Sequence, residues 1–397
     1  MIITPKVRGF ICTNAHPQGC AENVKKQIDY IRQQSGYDKT EGPKKVLVIG
    51  SSTGYGLASR VTAAFGYGAG TLGVFFEKPP TERRTASAGY YNAAAFDRQA
   101  KAAGVYTKSI NADAFSDECK QKVIDVIKND LGEIDLVIYS LASPRRKDPV
   151  TDLTYSSTLK PIGESYTAKN LNTNTQAVEE LTIESASEEE IAHTVKVMGG
   201  EDWERWIGAL KKAGVLADGV KTIAYTYLGE KLTWPIYGHA TIGKAKEDLD
   251  RAAHELRKQL SDRQGQANVA VLKAVVTQAS SAIPVMPLYL AILFKVMKAK
   301  GTHEGCIEQL YRLYTECLYN DSPRIDEVGR LRVDDLELDP TIQAEVEAIW
   351  PKVTTGNLHE LTDFTSYQTE FLHLFGFNVE GVDYQAETTP LVEADFL

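Results

Sequence analysis

The stretch IYGHATIGKAK, residues 236–246, sets one tyrosine, Tyr237, ahead of two lysines, Lys244 and Lys246. A phenol is a weak acid with a pKa of about 10, and a nearby ammonium lowers it. Such a pair can polarise a carbonyl beside a nucleotide or hand a proton to a forming anion. Helical neighbours lie three or four residues apart, so offsets of seven and nine need another geometry. On one continuous helix Lys244 would share the face of Tyr237, and Lys246 would lie about 180° away. Gly238 and Gly243 speak against that continuity. The pattern predicts a helix from Ile242, N-capped by Thr241, with Tyr237 on the preceding loop, able to fold back toward the first turn. Spacing alone leaves the choice of lysine open.

A nucleotide site is expected upstream. KKVLVIG (44–50) reads as a buried parallel strand, and GSSTGYG follows with Gly50, Gly54 and Gly56. The spacing G-x3-G-x-G lets the backbone approach a pyrophosphate and the next helix pack close to the sheet, while Ser51, Ser52 and Thr53 add hydroxyl donors. Glu77 ends TLGVFFE, 27 residues after Gly50. A carboxylate there accepts from ribose hydroxyls and repels a 2′-phosphate, which favours NADH over NADPH. Lys78, Arg83 and Arg84 would host a phosphate only if Glu77 turned away. Asp113 and Ala114 follow the expected third strand, where a carboxylate can hold the adenine amine. Leu141 and Ala142 end the fourth and leave room for a ribose.

These groups need a frame, and strand-like runs alternate with helical ones to supply it. EIDLVIYSLAS (133–143), KTIAYTYLGE (221–230) and NVAVLKAVVTQ (268–278) read as strands; 117–132, 188–198 and 243–260 read as helices. The fold class predicted is α/β, a Rossmann-like doubly wound parallel sheet. Segment 144–187 breaks the rhythm and reads as an inserted hairpin; Ser187 and Glu190 form a capping box that starts a helix. Trp203 and Trp206 are expected to pack that region on the sheet. With no linker visible, 1–397 is read as one domain, with 144–220 an insertion covering the active site.

Bulk properties narrow the partners. The 397 residues are 43% hydrophobic and 24% charged, with net charge −9 and a pI near 5.4. An acidic chain is a poor match for nucleic acid. Five scattered cysteines without CxxC indicate no disulfide framework, and seven histidines without HxxxH or HExxH indicate no metal site. The start lacks a signal-peptide pattern, so the cytoplasm is expected. The apolar run IPVMPLYLAILF (283–294) is too short for a membrane span and reads as a buried helix or a pocket wall.

The runs RGFICTNAHPQGC, KKVLVIGSSTGYGLASRVTAAFGYGAGTLGVFFEKP, YSLASPRR, VMGGEDWERWI and MPLYLAILFKVMKAKGTHEGCIEQ, with the Y-x8-K spacing of Tyr237 and Lys246, resemble the trans-2-enoyl-CoA reductase family. The likeness is closest to its FabV-type enoyl-acyl-carrier-protein reductases and runs along essentially the whole chain. It implies an enlarged relative of the short-chain dehydrogenases. Tyr237 is then catalytic, Lys246 faces the cofactor, Tyr227 meets the substrate carbonyl and Lys244 lies on the helix surface. The implied NADH contacts are Gly50, Ser51, Ser52, Thr53, Gly54, Tyr55, Phe76, Glu77, Asp113, Ala114, Leu141, Ala142, Lys246, Val275, Val276 and Thr277.

The implied reaction is hydride transfer to C3 of an enoyl thioester on acyl carrier protein or coenzyme A, by a monomer, in fatty-acid elongation. Carrier docking would use a basic run, Arg145 to Lys147 or Lys295, Lys298 and Lys300. Two other readings share these residues: a dinucleotide-binding redox sensor without turnover, and a carbonyl reductase or epimerase.

Overall fold

In a computed structural model, which describes residues 1–34, 41–141 and 143–397, the alternating runs build a seven-stranded parallel sheet wrapped by helices. A short hairpin, β1 (Val7–Arg8) and β2 (Ile11–Cys12), leads into α1 (Pro17–Gln33). Next come β3 (Lys45–Ile49), α2 (Gly54–Val61), β4 (Gly70–Phe75), α3 (Ala88–Ala102), β5 (Thr107–Asn111), α4 (Asp117–Val126) and β6 (Ile134–Tyr139). Two hairpins follow, β7 (Arg145–Lys147) with β8 (Thr154–Ser156) and β9 (Tyr166–Asn172) with β10 (Ala177–Ile183). α5 (Glu188–Met198) and α6 (Glu201–Lys212) return the chain to β11 (Leu216–Thr226), and α7 (Thr241–Gln259) leads to β12 (Gln266–Val271). The remainder is α8 (Met286–Ala299), α9 (Cys306–Arg312), β13 (Leu331–Arg332), α10 (Pro340–Ile349), α11 (Leu358–Leu361) and α12 (Phe364–His373).

The sheet order is β13-β12-β11-β6-β3-β4-β5. The order therefore turns back between β3 and β6, and in open parallel sheets a ligand crevice forms at that point, outside the strand C-termini. Val46 to Ile49 are fully buried, because helices cover both faces and no polar alternation is needed. On one face α6 packs through Trp203 and Trp206, both fully buried. Trp203 Nε1 donates to Thr222 Oγ1 at 2.8 Å, and Trp206 Nε1 to the Ala114 carbonyl at 3.1 Å. α1, α2 and α9 cover the other face. A further apolar body joins α8, α10 and α12 to the β9–β10 hairpin. Among the described residues no helix is long and apolar enough to cross a membrane.

Two local expectations change. Segment 144–187 forms two hairpins, not one. Ala240, not Thr241, is the N-cap of α7. Thr241 is the first helical residue, and its hydroxyl and N–H bind the carbonyls of Thr158 and Lys160 in the inserted segment. The capping box of Ser187 and Glu190 is present.

One buried cation joins the cofactor-side elements. The fully buried Arg60 of α2 donates to Thr71 of β4, Thr107 and Ser109 of β5, and Asp97 of α3. Its guanidinium lies 4.4 Å from the Phe96 ring centroid. Removing one partner of a buried pair leaves the other charge uncompensated. Arg60→Met is therefore expected to cost about 3–5 kcal/mol, read as a lower urea midpoint with an unchanged slope.

Candidate active site

The turn after β3 fits a pyrophosphate. Gly50 and Gly54 adopt φ of +87° and +53°, which L side chains rarely adopt. A Cβ on Gly50 would lie 2.0 Å from the Ser140 carbonyl oxygen, and one on Gly56 would lie 1.8 Å from that of Gly50. Thr53 N-caps α2 without a side-chain bond to the helix, so the first N–H groups stay open for an anion. Ser51 and Ser52 are buried, and the Tyr55 hydroxyl donates to the Lys273 carbonyl at 2.6 Å, tying the turn to the chain after β12.

Of the other expected cofactor residues, Glu77, Leu141 and Thr277 lie against this turn. Glu77 Oε1 accepts from Ser52 Oγ at 2.7 Å, so the carboxylate faces the turn. Gly89 makes room for it, since a Cβ there would meet Glu77 Oε1 at 2.0 Å. Phe76 points outward and is 79% exposed. Asp113 Oδ1 accepts the Phe115 N–H at 3.0 Å, and the Ala114 carbonyl is held by Lys120 and Trp206. Leu141 lies against Gly50; Ala142 is outside the described residues. Val275 and Val276 are buried, and Thr277 Cγ2 would sit 3.5 Å from a Cβ on Gly54.

The tyrosines and the lysine meet beyond the end of β11, across β6 from this turn. Tyr227 follows the end of β11, and the chain then turns back through residues 228–239. A Cβ on Gly243 would meet the Gly238 carbonyl oxygen at 1.9 Å, so the bare glycine lets the loop seat on the first turn of α7. This fold-back explains the nine-residue offset: Tyr237 is not on the helix that carries Lys246. The rings of Tyr227 and Tyr237 meet edge to face, with centroids 4.9 Å apart. Both line a cavity of about 390 Å³ with Lys246, Trp234, His239 and Arg330. Lys246 Nζ turns inward to the Tyr225 carbonyl at 3.2 Å, whereas Lys244 turns outward to Glu247 at 2.8 Å.

Burial acts oppositely on the two groups. It pushes the Tyr237 phenol up, against the Tyr227 backbone, and pushes the Lys246 ammonium down to about 8, against the Asp250 carboxylate.

Sequence reasoning missed Glu337, whose carboxylate accepts from the Tyr227 phenol at 2.9 Å. Nothing in RLRVDDLELD marks one acid above the others. The suggested basic docking runs are largely engaged. Arg146 is buried and donates to Glu201; Lys147 pairs with Asp152, Lys298 with Asp363 and Lys300 with Glu345. Lys295 donates to the Glu360 carbonyl.

Residues 84–319 match a family model described as the trans-2-enoyl-CoA reductase catalytic region, and residues 2–82 one described as the NAD(P)H binding domain of trans-2-enoyl-CoA reductase. The chain belongs to the trans-2-enoyl-CoA reductase family. It is 67% identical to an enoyl-acyl-carrier-protein reductase (NADH) of Saccharophagus degradans over 100% of both chains. It is 65% identical to one of Teredinibacter turnerae, over 99% of this chain and 98% of that one. A crystal structure of Treponema denticola trans-2-enoyl-CoA reductase in complex with NAD superposes with a TM-score of 0.95 at 49% identity, covering 99% of this chain and 100% of that one. Clostridium acetobutulicum trans-2-enoyl-CoA reductase in complex with NADH gives 0.95 at 44%, covering 98% of each.

Residues 325–388 match a model described as an enoyl reductase FAD binding domain. The side chains there do not fit a flavin. Phe364 and Tyr367 fill a core with α8, and Gly329, Gly356, Gly376 and Gly381 make no strand-to-helix turn like that of Gly50.

Two outcomes follow from this geometry. Gly243→Ala should lift the Tyr237 loop and lower kcat on the order of tenfold or more, with helix content by circular dichroism unchanged. For Lys246 the folded pKa is about 8 against an ordinary 10.5. Between those values the unfolded chain binds more protons, so this group's contribution to stability rises with pH. Lys246→Met should therefore be stabilised relative to the wild type below pH 8, and urea titrations should show the gap shrinking as pH rises from about 8 toward 10.

Proposed function

We propose that the protein is an NADH-dependent reductase of the C2=C3 double bond of trans-2-enoyl thioesters, carried on acyl carrier protein or coenzyme A, acting in the last reductive step of fatty-acid elongation. The carrying observation is that Tyr227, Tyr237 and Lys246 line one cavity in a chain of this family that also has a pyrophosphate-fitting turn after β3. The backbone of Gly50 to Tyr55 would hold the pyrophosphate and Glu77 a ribose. Phe76, Asp113, Ala114, Leu141, Ala142 and Val275 to Thr277 complete the set, and Lys246 faces the nicotinamide ribose. Glu77, held toward the turn, favours NADH over NADPH. When bound, the nicotinamide supplies the hydride for C3.

The chain's own groups handle the charge that develops on the thioester carbonyl. Tyr237 keeps its proton at neutral pH, because burial raises its pKa, and so acts as a donor to that oxygen. The Lys246 ammonium adds positive charge to the same cavity. The α-carbon then takes its proton from Tyr237 or from water. The apolar face of α8, which shares a core with Tyr237, serves as a wall for the acyl chain. We read the chain as one catalytic domain whose 144–220 region covers the site, working as a monomer in the cytoplasm.

The test follows NADH oxidation with crotonyl-CoA and crotonyl-acyl carrier protein. Tyr237→Phe should lose on the order of 10²–10⁴ in kcat while still binding NADH, and Lys246→Met should lose both turnover and NADH affinity. Full activity of Tyr237→Phe would move the donor role to Tyr227.

A further inference from the structure

Behind Tyr227 lies a carboxylate that the reaction above leaves without a role. Glu337 is fully buried. Its Oε1 accepts from the phenols of Tyr227 at 2.9 Å and Tyr289 at 2.7 Å, and its Oε2 accepts the Ala274 N–H at 2.6 Å. Gln343 of α10 donates to the Glu337 carbonyl at 2.7 Å and to the Tyr289 hydroxyl at 3.1 Å. Lys273, also buried, donates to the Ala274 carbonyl at 2.8 Å, and its charge favours the ionised form of Glu337. Burial pushes the Glu337 pKa up; Lys273 and the three donors pull it back. All three contacts to its oxygens come from donors, the arrangement that suits an acceptor.

A phenol has one hydrogen to give. Tyr227 gives its hydrogen to Glu337, so in this arrangement it has none for a substrate carbonyl. No side chain among the described residues hydrogen-bonds the Tyr237 hydroxyl, and Tyr237 lines the cavity. The edge-to-face contact then makes the setting of the Tyr227 ring a setting of the Tyr237 ring as well.

We propose that Glu337 is a positioning residue for the reduction: by holding the phenolic hydrogen of Tyr227 it fixes that ring against Tyr237 and leaves Tyr237 as the phenol that donates to the thioester oxygen. This inference rests on the reductase reading. Ala274, one residue before the Val275–Thr277 cofactor segment, anchors the carboxylate in turn. An amide at position 337 cannot reproduce the arrangement. With its oxygen toward the tyrosines, its NH₂ faces the Ala274 N–H; turned over, the NH₂ faces the phenol oxygens and releases their hydrogens.

The test is a double-mutant cycle of Glu337→Gln with Tyr227→Phe, after wild-type turnover of crotonyl-CoA has been recorded. Glu337→Gln should lower kcat on the order of tenfold, with KM and the NADH Kd by fluorescence changed less than about twofold. In the Tyr227→Phe background the same substitution should change kcat by less than about twofold. An unchanged kcat, or the same fall in both backgrounds, would overturn the role of Glu337 while leaving the reductase reading in place. If the glutamine variant does not fold, Glu337→Asp, which keeps a charge opposite Lys273 and withdraws the oxygens, carries the same cycle with the same expected and overturning results. A wild type without turnover of crotonyl-CoA or crotonyl-acyl carrier protein overturns the reductase reading and this inference with it.

Discussion

The site depends first on how closely the end of β3 approaches the end of β6. Gly50 leaves no room for a Cβ against the Ser140 carbonyl, and Gly56 leaves none against Gly50. Two backbones in contact at the point where strand order turns back give a crevice with open helix N–H groups at its floor. Side chains at either glycine would push α2 away, and Tyr55 would lose its bond to Lys273. That bond carries the placement of the glycine turn across to the chain after β12, next to the segment that ends in Thr277. The crevice and the tyrosine cavity are thus positioned by one sheet and not by independent loops.

Lysines fix the other strand ends in a common way. Lys120 donates to the carbonyls of Ala114 and Phe115 beyond β5, Lys246 to that of Tyr225 at the end of β11, and Lys273 to that of Ala274 beyond β12. Carbonyls past the last ladder bond of a strand have no sheet partner, and a buried one without a donor costs free energy. A long flexible cation satisfies them, and a carboxylate offsets its charge: Asp202 for Lys120 at 2.9 Å, Glu337 for Lys273. Such pairs contribute little net stability against an apolar alternative, so their value here is in placing the backbone at the strand ends.

The sequence shows what is local. Strand runs, the glycine spacing and the Ser187 capping box all depend on residues within a few positions of one another. The basic run Arg145–Lys147 looked like a surface patch because composition carries no direction. Once it pairs as β7, the two-residue period turns Arg146 inward while its neighbours stay exposed. The offset of nine between Tyr237 and Lys246 became interpretable only through Gly243 meeting Gly238, a contact made by the folded loop. Glu337 and Tyr227 are 110 residues apart, and Arg60 and Ser109 are 49 apart. No periodicity pairs such residues, so buried polar partners are what a reading of one sequence loses.

The electrostatic state of the cavity follows from burial. The Tyr237 phenol is pushed toward its neutral form, and the Lys246 ammonium is also pushed toward neutrality. A neutral donor interacts modestly with an uncharged thioester carbonyl. Its interaction strengthens as negative charge grows on that oxygen, and it strengthens most where water is scarce and donors are already aimed. In the proposed reduction the same growing charge would favour protonation of Lys246, whose pKa is lowered by burial to about 8. In the proposed reduction the cavity would respond more to the oxyanion than to the substrate, which is the difference that accelerates a reaction.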